Sequence, residues 1–372
     1  MLLGLTNAPR PFDWGSTTLI ASLEGRPEAP APEAEVWFGD HPSDPADLGD
    51  GRTLDAYLAE NGARKLPYLL KILAATKSLS IQAHPTRAQA IEGYAAERTL
   101  PEAAPRNYAD DNHKPEMIVA LSDEFVALCG LREIDATRRL LADLGPGAAP
   151  LAERLTDDNA LAESVGWLLS GEAQDVVDAI IAALDGATSS EFAADIENAA
   201  RNAAEFPGDP GVVVGLLMNL MTLHAGEALF LRAGQLHAYQ SGLGIEIMAA
   251  SDNVMRGGLT PKHIDVDELM RVLERRSGAV SLVEPTPISH GVSEFPVPVE
   301  DFRLWHGVAS VDGVTIEPTL PAILLCTSGA IRVQAAVQSL ELMPGQAVFI
   351  DGEEAAVQVI GEGDFFVAQP GA

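Results

Sequence analysis

The segment Leu79-Ser-Ile-Gln-Ala-His-Pro sets an amide and an imidazole two residues apart, so on an extended strand Gln82 and His84 project from one face. That spacing suits two ligands of one metal ion. Two further histidine-centred segments, Asn112-His113-Lys114-Pro115-Glu116 and Gln235-Leu236-His237-Ala238-Tyr239, supply donors of other kinds. Glu116 leads into the apolar run Met117-Ile-Val-Ala-Leu, and His237 follows the turn Arg232-Ala-Gly-Gln, so both stand where a loop meets a strand and can be aimed inward. One amide oxygen, two imidazoles and one carboxylate form a donor set for a single hard or borderline cation. With positions left for water or substrate, the set has the open character of a catalytic zinc.

Charged residues stand in unusual company near these donors. Lys71 sits alone in Leu66-Pro-Tyr-Leu-Leu-Lys-Ile-Leu-Ala, where an ammonium is costly unless its head reaches water or an anionic partner. Glu246 is likewise alone in the apolar run Gly244-Ile-Glu-Ile-Met-Ala, which suggests a carboxylate inside a barrel. Asp252 and Arg256, four residues apart, add an acid and a permanent cation, a combination that can support proton transfer and stabilise an oxyanion. The cation-dense segments His113-Lys114 and Arg256 to His263 adjoin the ligand candidates, and a small anion suits that neighbourhood.

The elements that must position these groups are mostly β. Short apolar runs punctuated by Gly, Pro and Asp predict strands at Tyr68–Ile72, Ile118–Leu121, Ala228–Leu231, Ile245–Met248, Ile323–Thr327, Ile331–Ala335 and Ala347–Ile350. Between them, from about Ile134 to Glu205, Ala, Leu, Asp and Glu dominate with helical spacing, as in the run from Ala173 to Leu184 closed by Asp185-Gly186. The run Val212–Leu223 reads equally as strand or helix, and Asp265 opens a helix that carries the chain onward. Gly226-Glu-Ala-Leu-Phe-Leu-Arg-Ala-Gly and Met343-Pro-Gly-Gln-Ala-Val-Phe-Ile-Asp-Gly share a turn-strand-turn pattern, a weak internal repeat that fits two β-barrels or jelly rolls. Only the first copy is followed by a histidine, so chemistry is assigned to it and packing to the second.

Bulk properties narrow the function classes. A chain of 372 residues is expected to hold two or three domains and a sizeable core, with 47% hydrophobic residues. No apolar run approaches the roughly 20 residues of a membrane helix, and no signal peptide is read at the start, so a soluble cytoplasmic protein is expected. A formal charge of −30 argues against nucleic acid as a partner. Cys129 and Cys326, both in apolar segments, read as core thiols of a reducing compartment.

Several strings, taken together and in order, resemble the type I phosphomannose isomerases: Asp13-Trp-Gly-Ser, Leu79-Ser-Ile-Gln-Ala-His-Pro, Asn112-His-Lys-Pro-Glu-Met, Gly234-Gln-Leu-His-Ala-Tyr, and the run from Glu246 to His263. The likeness covers most of residues 1–130 and 207–270 and little of the rest. It implies a zinc site of Gln82, His84, Glu116 and His237 and an active-site arginine at Arg256. By the same likeness Lys71, Ser80, Lys114 and Lys262 meet a sugar phosphate, and Asp252, Glu246 and His113 are acid/base candidates. The implied fold is mainly β with α: a cupin-like jelly-roll barrel (1–130 and 207–268) interrupted by a helical domain (131–206) and followed by a second cupin-like barrel (269–372). The implied reaction is the interconversion of mannose 6-phosphate and fructose 6-phosphate through an enediol, by a monomer or an oligomer, serving nucleotide-sugar synthesis or glycolysis. Two rivals stand beside it. One is a metal-binding cupin that senses a sugar phosphate without turnover; the other is an iron cupin dioxygenase, which a Gln ligand and neighbouring lysines fit poorly.

Overall fold

A computed structural model describes residues 1–372 apart from 102–103, 353–355 and 372. Its strands form two antiparallel sheets, of nine and eleven strands, with helices inserted between strands of the first. The organising element of the first sheet is a 13-residue strand, His237–Ala249. Its C-terminal half pairs with Tyr68–Ala75 on one side and Glu116–Ala120 on the other. Its N-terminal half pairs with Gln82–Ala83 and Phe125–Leu131 instead. One strand thus serves both faces of a container, as in a cupin-like jelly roll.

The strand changes course at a register shift between Tyr239 and Ser241, followed by Gly242 at φ +123°. A Cβ there would lie 2.7 Å from the ring of Phe125 and 2.8 Å from its Cα, so glycine is required for conformation and for space. The bend has a large effect on distance. Glu116 lies opposite Met248, eleven residues along the strand from His237, a span of about 36 Å if straight. Yet its carboxylate is 3.1 Å from the His237 ring.

Tyr68–Ala75 is buried at all eight positions because both of its faces are covered. Leu73 and Ala75 face the container interior with Ile118, Ala120, Leu229 and Leu231. Leu70, Ile72 and Ala74 face the other way, with Val36, Phe38, Val119 and Ile247, onto Leu304, Ile323, Leu325, Phe349, Phe366 and Ala368 of the second sheet. The Tyr68 hydroxyl donates to the Ala368 carbonyl across that seam at 3.0 Å.

The second sheet repeats the plan. Its 13-residue strand Val357–Gln369 pairs through one half with Arg303–Ala309 and Ala322–Cys326, and through the other with Val314–Ile316 and Ala330–Gln334. Ala228–Leu231 and Ala347–Ile350, the strands of the suspected repeat, hold corresponding places just before the long strands. The second interior is packed with Trp305, Ile316, Leu324, Ile331, Val333, Val348, Val359, Phe365 and Val367. Cys326 is buried there and Cys129 in the first sheet; both thiols are free.

The predicted helical stretch forms five α-helices from Ile134–Asp143 to Ala193–Glu205, with a core of Leu140, Leu151, Leu161, Val165, Leu168, Val177, Ile180 and Ile196. The ambiguous Val212–Leu223 run is both things in turn, a helix at Gly211–Leu216 and a strand at Met218–Leu223. Asp265 caps the helix Val266–Val272, its carboxylate accepting the Glu268 N–H. No helix among the described residues is long and apolar enough to cross a membrane.

Two expected boundaries need correction. Leu2–Thr6, placed by sequence in the first barrel, pairs with Ala347–Ile350 in the second sheet, where Leu2 and Leu5 bury their side chains. The division at 268/269 falls inside a helix, and the chain beyond it still touches the first sheet, with Ser277 bridging to Leu131 and Val283 to Ala228. Neither pairing is local, so neither leaves a mark on hydrophobic spacing. Replacing Gly242 by Ala is expected to lower unfolding stability by about 2 kcal/mol or more; an unchanged urea midpoint would show that the bend does not need glycine.

Candidate metal centre and active-site cavity

The donors predicted from sequence meet at one end of the first sheet. Strand register sets Arg256, Gln82 and His237 side by side on three neighbouring strands, so their side chains share a face. His84 follows one step beyond Ala83, and Glu116 arrives from the far side of the bend. His84 Nε2 lies 3.3 Å from one Glu116 oxygen and His237 Nε2 lies 3.1 Å from the other. The Gln82 amide is 3.3 Å from His237 Nε2, and a half-turn of that amide exchanges its nitrogen for its oxygen.

Hydrogen bonds on the outer side of each ring fix the tautomers. His84 Nδ1–H donates to the Asn253 carbonyl at 2.7 Å and His237 Nδ1–H to the Gln235 carbonyl at 3.0 Å. Both Nε2 lone pairs therefore point into the cluster, as metal-bound histidines require. His84, Glu116 and His237 are each 98% or more buried, and their ligand atoms lie within 4.8 Å of one another. His84 Nε2 and one Glu116 oxygen have no hydrogen-bond partner. Buried lone pairs facing one another without a proton between them repel, and a divalent cation removes that repulsion. The residues fit zinc: two imidazoles, a carboxylate and an amide, with room for substrate.

Charge is arranged around this cluster. Burial opposes ionisation of Glu116, but Lys114 at 2.9 Å and the two imidazoles outweigh it and hold the carboxyl well below its usual range. Burial pushes His84 down to about 4 despite the Glu116 charge. Lys71 does not snorkel to water. It is buried, with its ammonium 3.0 Å from Glu246 and 3.7 Å from Glu35, and the Trp37 indole N–H donates to Glu35 at 2.7 Å. Lys71 and Glu246 are direct cross-strand neighbours, so sheet register makes the pair. Burial raises the Glu246 pKa, with Lys71 opposing. For Lys71 burial works against the charge, and the carboxylates overcome it to raise the ammonium above its ordinary value.

A cavity of about 610 Å3 opens onto the cluster, lined by Gln82, Glu116, Lys114, Lys71, Glu246, Ser80, Arg256 and Lys262 among others. With Lys77 it gathers five of the chain's 24 Lys and Arg residues. Among the described residues, Lys77, Arg256 and Lys262 have no carboxylate partner within salt-bridge distance. Unpaired cations in so acidic a chain suit an anionic ligand.

The profile of the family described as phosphomannose isomerase type I, catalytic domain, matches residues 2–134. The mannose-6-phosphate isomerase of Escherichia coli strain K12 is 35% identical over 382 aligned residues, which cover 96% of this chain and 97% of the relative. This chain belongs to the type I phosphomannose isomerase family. The mannose-6-phosphate isomerase of Aspergillus fumigatus is 30% identical over 446 aligned residues, covering 98% and 95%. A solved, zinc-bound mannose 6-phosphate isomerase matches with a TM-score of 0.90 at 31% identity, and a variant of the phosphomannose isomerase of Salmonella typhimurium with 0.91 at 31%, each covering 100% of both chains.

Two residues expected in the site lie outside the cavity. Residues 112–116 run extended, so Lys114 and Glu116 face inward and His113 outward, where it meets Asp301 at 2.7 Å and Arg87 at 2.8 Å. Asp252 pairs with His41 at 3.1 Å in a separate cavity of about 280 Å3. Alternation from Arg256 would have turned Asp252 inward, but Ser251 and Asn253 hydrogen-bond to the Asp110–Asn112 loop and break the strand there. Sequence reasoning passed over Trp14, Glu35, Lys77, Glu205 and Tyr239, all cavity-lining. Tyr239 was within reach, two residues from His237 on one strand face; Glu205, at the end of a distant helix, carried no signal.

The depressed His84 pKa makes a stability statement for the metal-free protein. The unfolded chain takes up a proton near the ordinary imidazole value while the folded ring resists it, so stability is present above about pH 6.5 and is lost as pH falls towards about 4. Thermal melting after chelation should show that loss, and a flat profile across the window would contradict the neutral, inward-facing ring.

Proposed function

We propose that this chain is a zinc-dependent aldose–ketose isomerase that interconverts mannose 6-phosphate and fructose 6-phosphate. The observation that carries the reading is the buried, mutually facing set of His84, Glu116 and His237, which meets through Glu116 a cavity rich in unpaired cations. Gln82, His84, Glu116 and His237 would hold the zinc. When bound, the metal polarises the oxygens on the two reacting carbons and offsets the negative charge that develops there.

The chain's own residues supply the rest. Arg256, half-buried and without a carboxylate partner among the described residues, is a fixed cation for the enediolate oxygen; burial lowers its pKa without displacing it from the charged state. Glu246, its carboxyl raised by burial and held by Lys71, is suited to take a proton from one carbon and return it to the next. Lys114, on the cavity wall, holds the Glu116 carboxylate at 2.9 Å. Lys262 and Ser80 anchor the remote phosphate, with Lys77 as a further cation on the same wall. Binding energy at that end orients the sugar at the reacting end, where misplacement is costly in rate. His113 and Asp252 are directed away from the cavity, toward Asp301 and His41, and no step is assigned to them.

A coupled assay with mannose 6-phosphate tests the reading: chelation should abolish turnover and added zinc should restore it, whereas turnover indifferent to chelation would overturn it. Arg256→Ala is expected to lower kcat on the order of a hundredfold while the zinc stays bound. His237→Ala should lose the metal itself. Metal analysis beside steady-state kinetics separates the two, and near-normal turnover in Arg256→Ala would remove that residue from its role.

A further inference from the structure

The helical insertion touches the catalytic cavity at one place, through the end of its last long helix, Ala193–Glu205. Asn202 and Glu205, one turn apart on that helix, both lead to Ser78. The Asn202 amide N–H donates to the Gln240 side-chain oxygen at 2.9 Å, and the Gln240 amide N–H donates to Ser78 Oγ at 2.7 Å. The Ser78 hydroxyl in turn donates to the Leu79 carbonyl at 2.8 Å. Glu205 accepts the Ser78 backbone N–H at 3.4 Å. The side-chain donors run from helix to loop, and the Ser78 N–H returns a bond from the loop to the helix. Asn202 is 2% exposed, Gln240 1% and Ser78 6%, so water offers no ready substitute for these bonds.

The loop they hold carries much of the site. Lys77 and Ser80 line the cavity on either side of Ser78, and the chain enters the Gln82–Ala83 strand directly afterwards. Downstream the loop is already tied to the first sheet, with the Leu79 N–H donating to the Tyr239 carbonyl at 2.9 Å and Ile81 exchanging hydrogen bonds with residues 257 and 258. Ser78 is the point fastened from the helical side. Gln240 lies in the His237 strand, next to Tyr239 and just before the bend at Gly242, so the relay ties the loop to the sheet as well as to the helix.

We infer that Asn202, Gln240 and Glu205 are positioning residues: the helical insertion sets the height of the Lys77–Ser80 wall and so the affinity for the phosphate end of the substrate. This rests on the reading that Ser80 meets the phosphate. The relay acts on substrate binding more than on the metal, because Gln82 and His237 are held independently by sheet register and by the Gln235 carbonyl.

Steady-state kinetics and inhibition by inorganic phosphate, each with zinc content and melting temperature, test it on the full-length zinc-loaded protein. Asn202→Ala is expected to raise KM for mannose 6-phosphate and the inhibition constant of phosphate in parallel, by about fivefold or more, with kcat and zinc content within about twofold. Should Asn202→Ala fail to fold, Glu205→Ala removes the acceptor for the Ser78 N–H together with a cavity-lining charge, whereas Glu205→Gln removes the charge alone; a higher KM and weaker phosphate inhibition in Glu205→Ala than in Glu205→Gln is the expected split. Unchanged KM and phosphate inhibition would overturn the inference, as would a loss of kcat and zinc together, the mark of a merely structural role. Ser80→Ala, measured alongside, separates the two levels: if it leaves phosphate inhibition unaltered, the phosphate assignment fails, and if it weakens inhibition while Asn202→Ala does not, only the positioning role fails.

Discussion

Two imidazole nitrogens and a carboxylate, all stripped of water and all presenting lone pairs to one another, form the constraint around which the first sheet is arranged. Without a cation these lone pairs repel one another, and a divalent cation held among them would remove that repulsion. Each of its parts is backed by a neutral or oppositely charged group: a carbonyl behind each ring, an ammonium beside the carboxylate. The rings are therefore held ready for a metal rather than gathered by it.

Bringing those groups together depends on a bent strand. His237 and Glu116 approach because the long strand turns at Gly242, and Arg256, Gln82 and His237 align because three strands share a register. The same register makes the Lys71–Glu246 pair, a buried ion pair whose desolvation is offset by its own attraction and by Glu35. The second sheet, built on the same plan around Val357–Gln369, has an interior of hydrocarbon and takes its part by covering the outer face of the first. Two copies of one architecture thus divide into a polar container and an apolar support.

Much of this was legible along the chain. The runs Ala228–Leu231 and Ala347–Ile350 are strands with those bounds, and the helical stretch, the Asp265 cap and the mainly β character follow the spacing of apolar residues. The loneliness of Lys71 and Glu246 among apolar neighbours marked them both, though not as partners. What stayed hidden depends on contacts remote in sequence. Leu2–Thr6 crosses to a sheet made of the last hundred residues, and Glu205 reaches the cavity wall from the end of an inserted helix. Asp252, singled out for standing four residues from Arg256, is directed elsewhere because it and its neighbour Asn253 hydrogen-bond to the Asp110–Asn112 loop.

Residue types and two-residue spacings are properties of a few consecutive positions, because a strand alternates its side chains whatever surrounds it; on that ground the sequence alone determined which donors exist and which pairs share a face. The meeting of Gln82 with His237, 155 residues apart, and of Lys71 with Glu246, 175 apart, was decided only by the tertiary structure. Distance between such segments depends on bends, registers and covered faces summed over the whole molecule, and no local pattern records that sum.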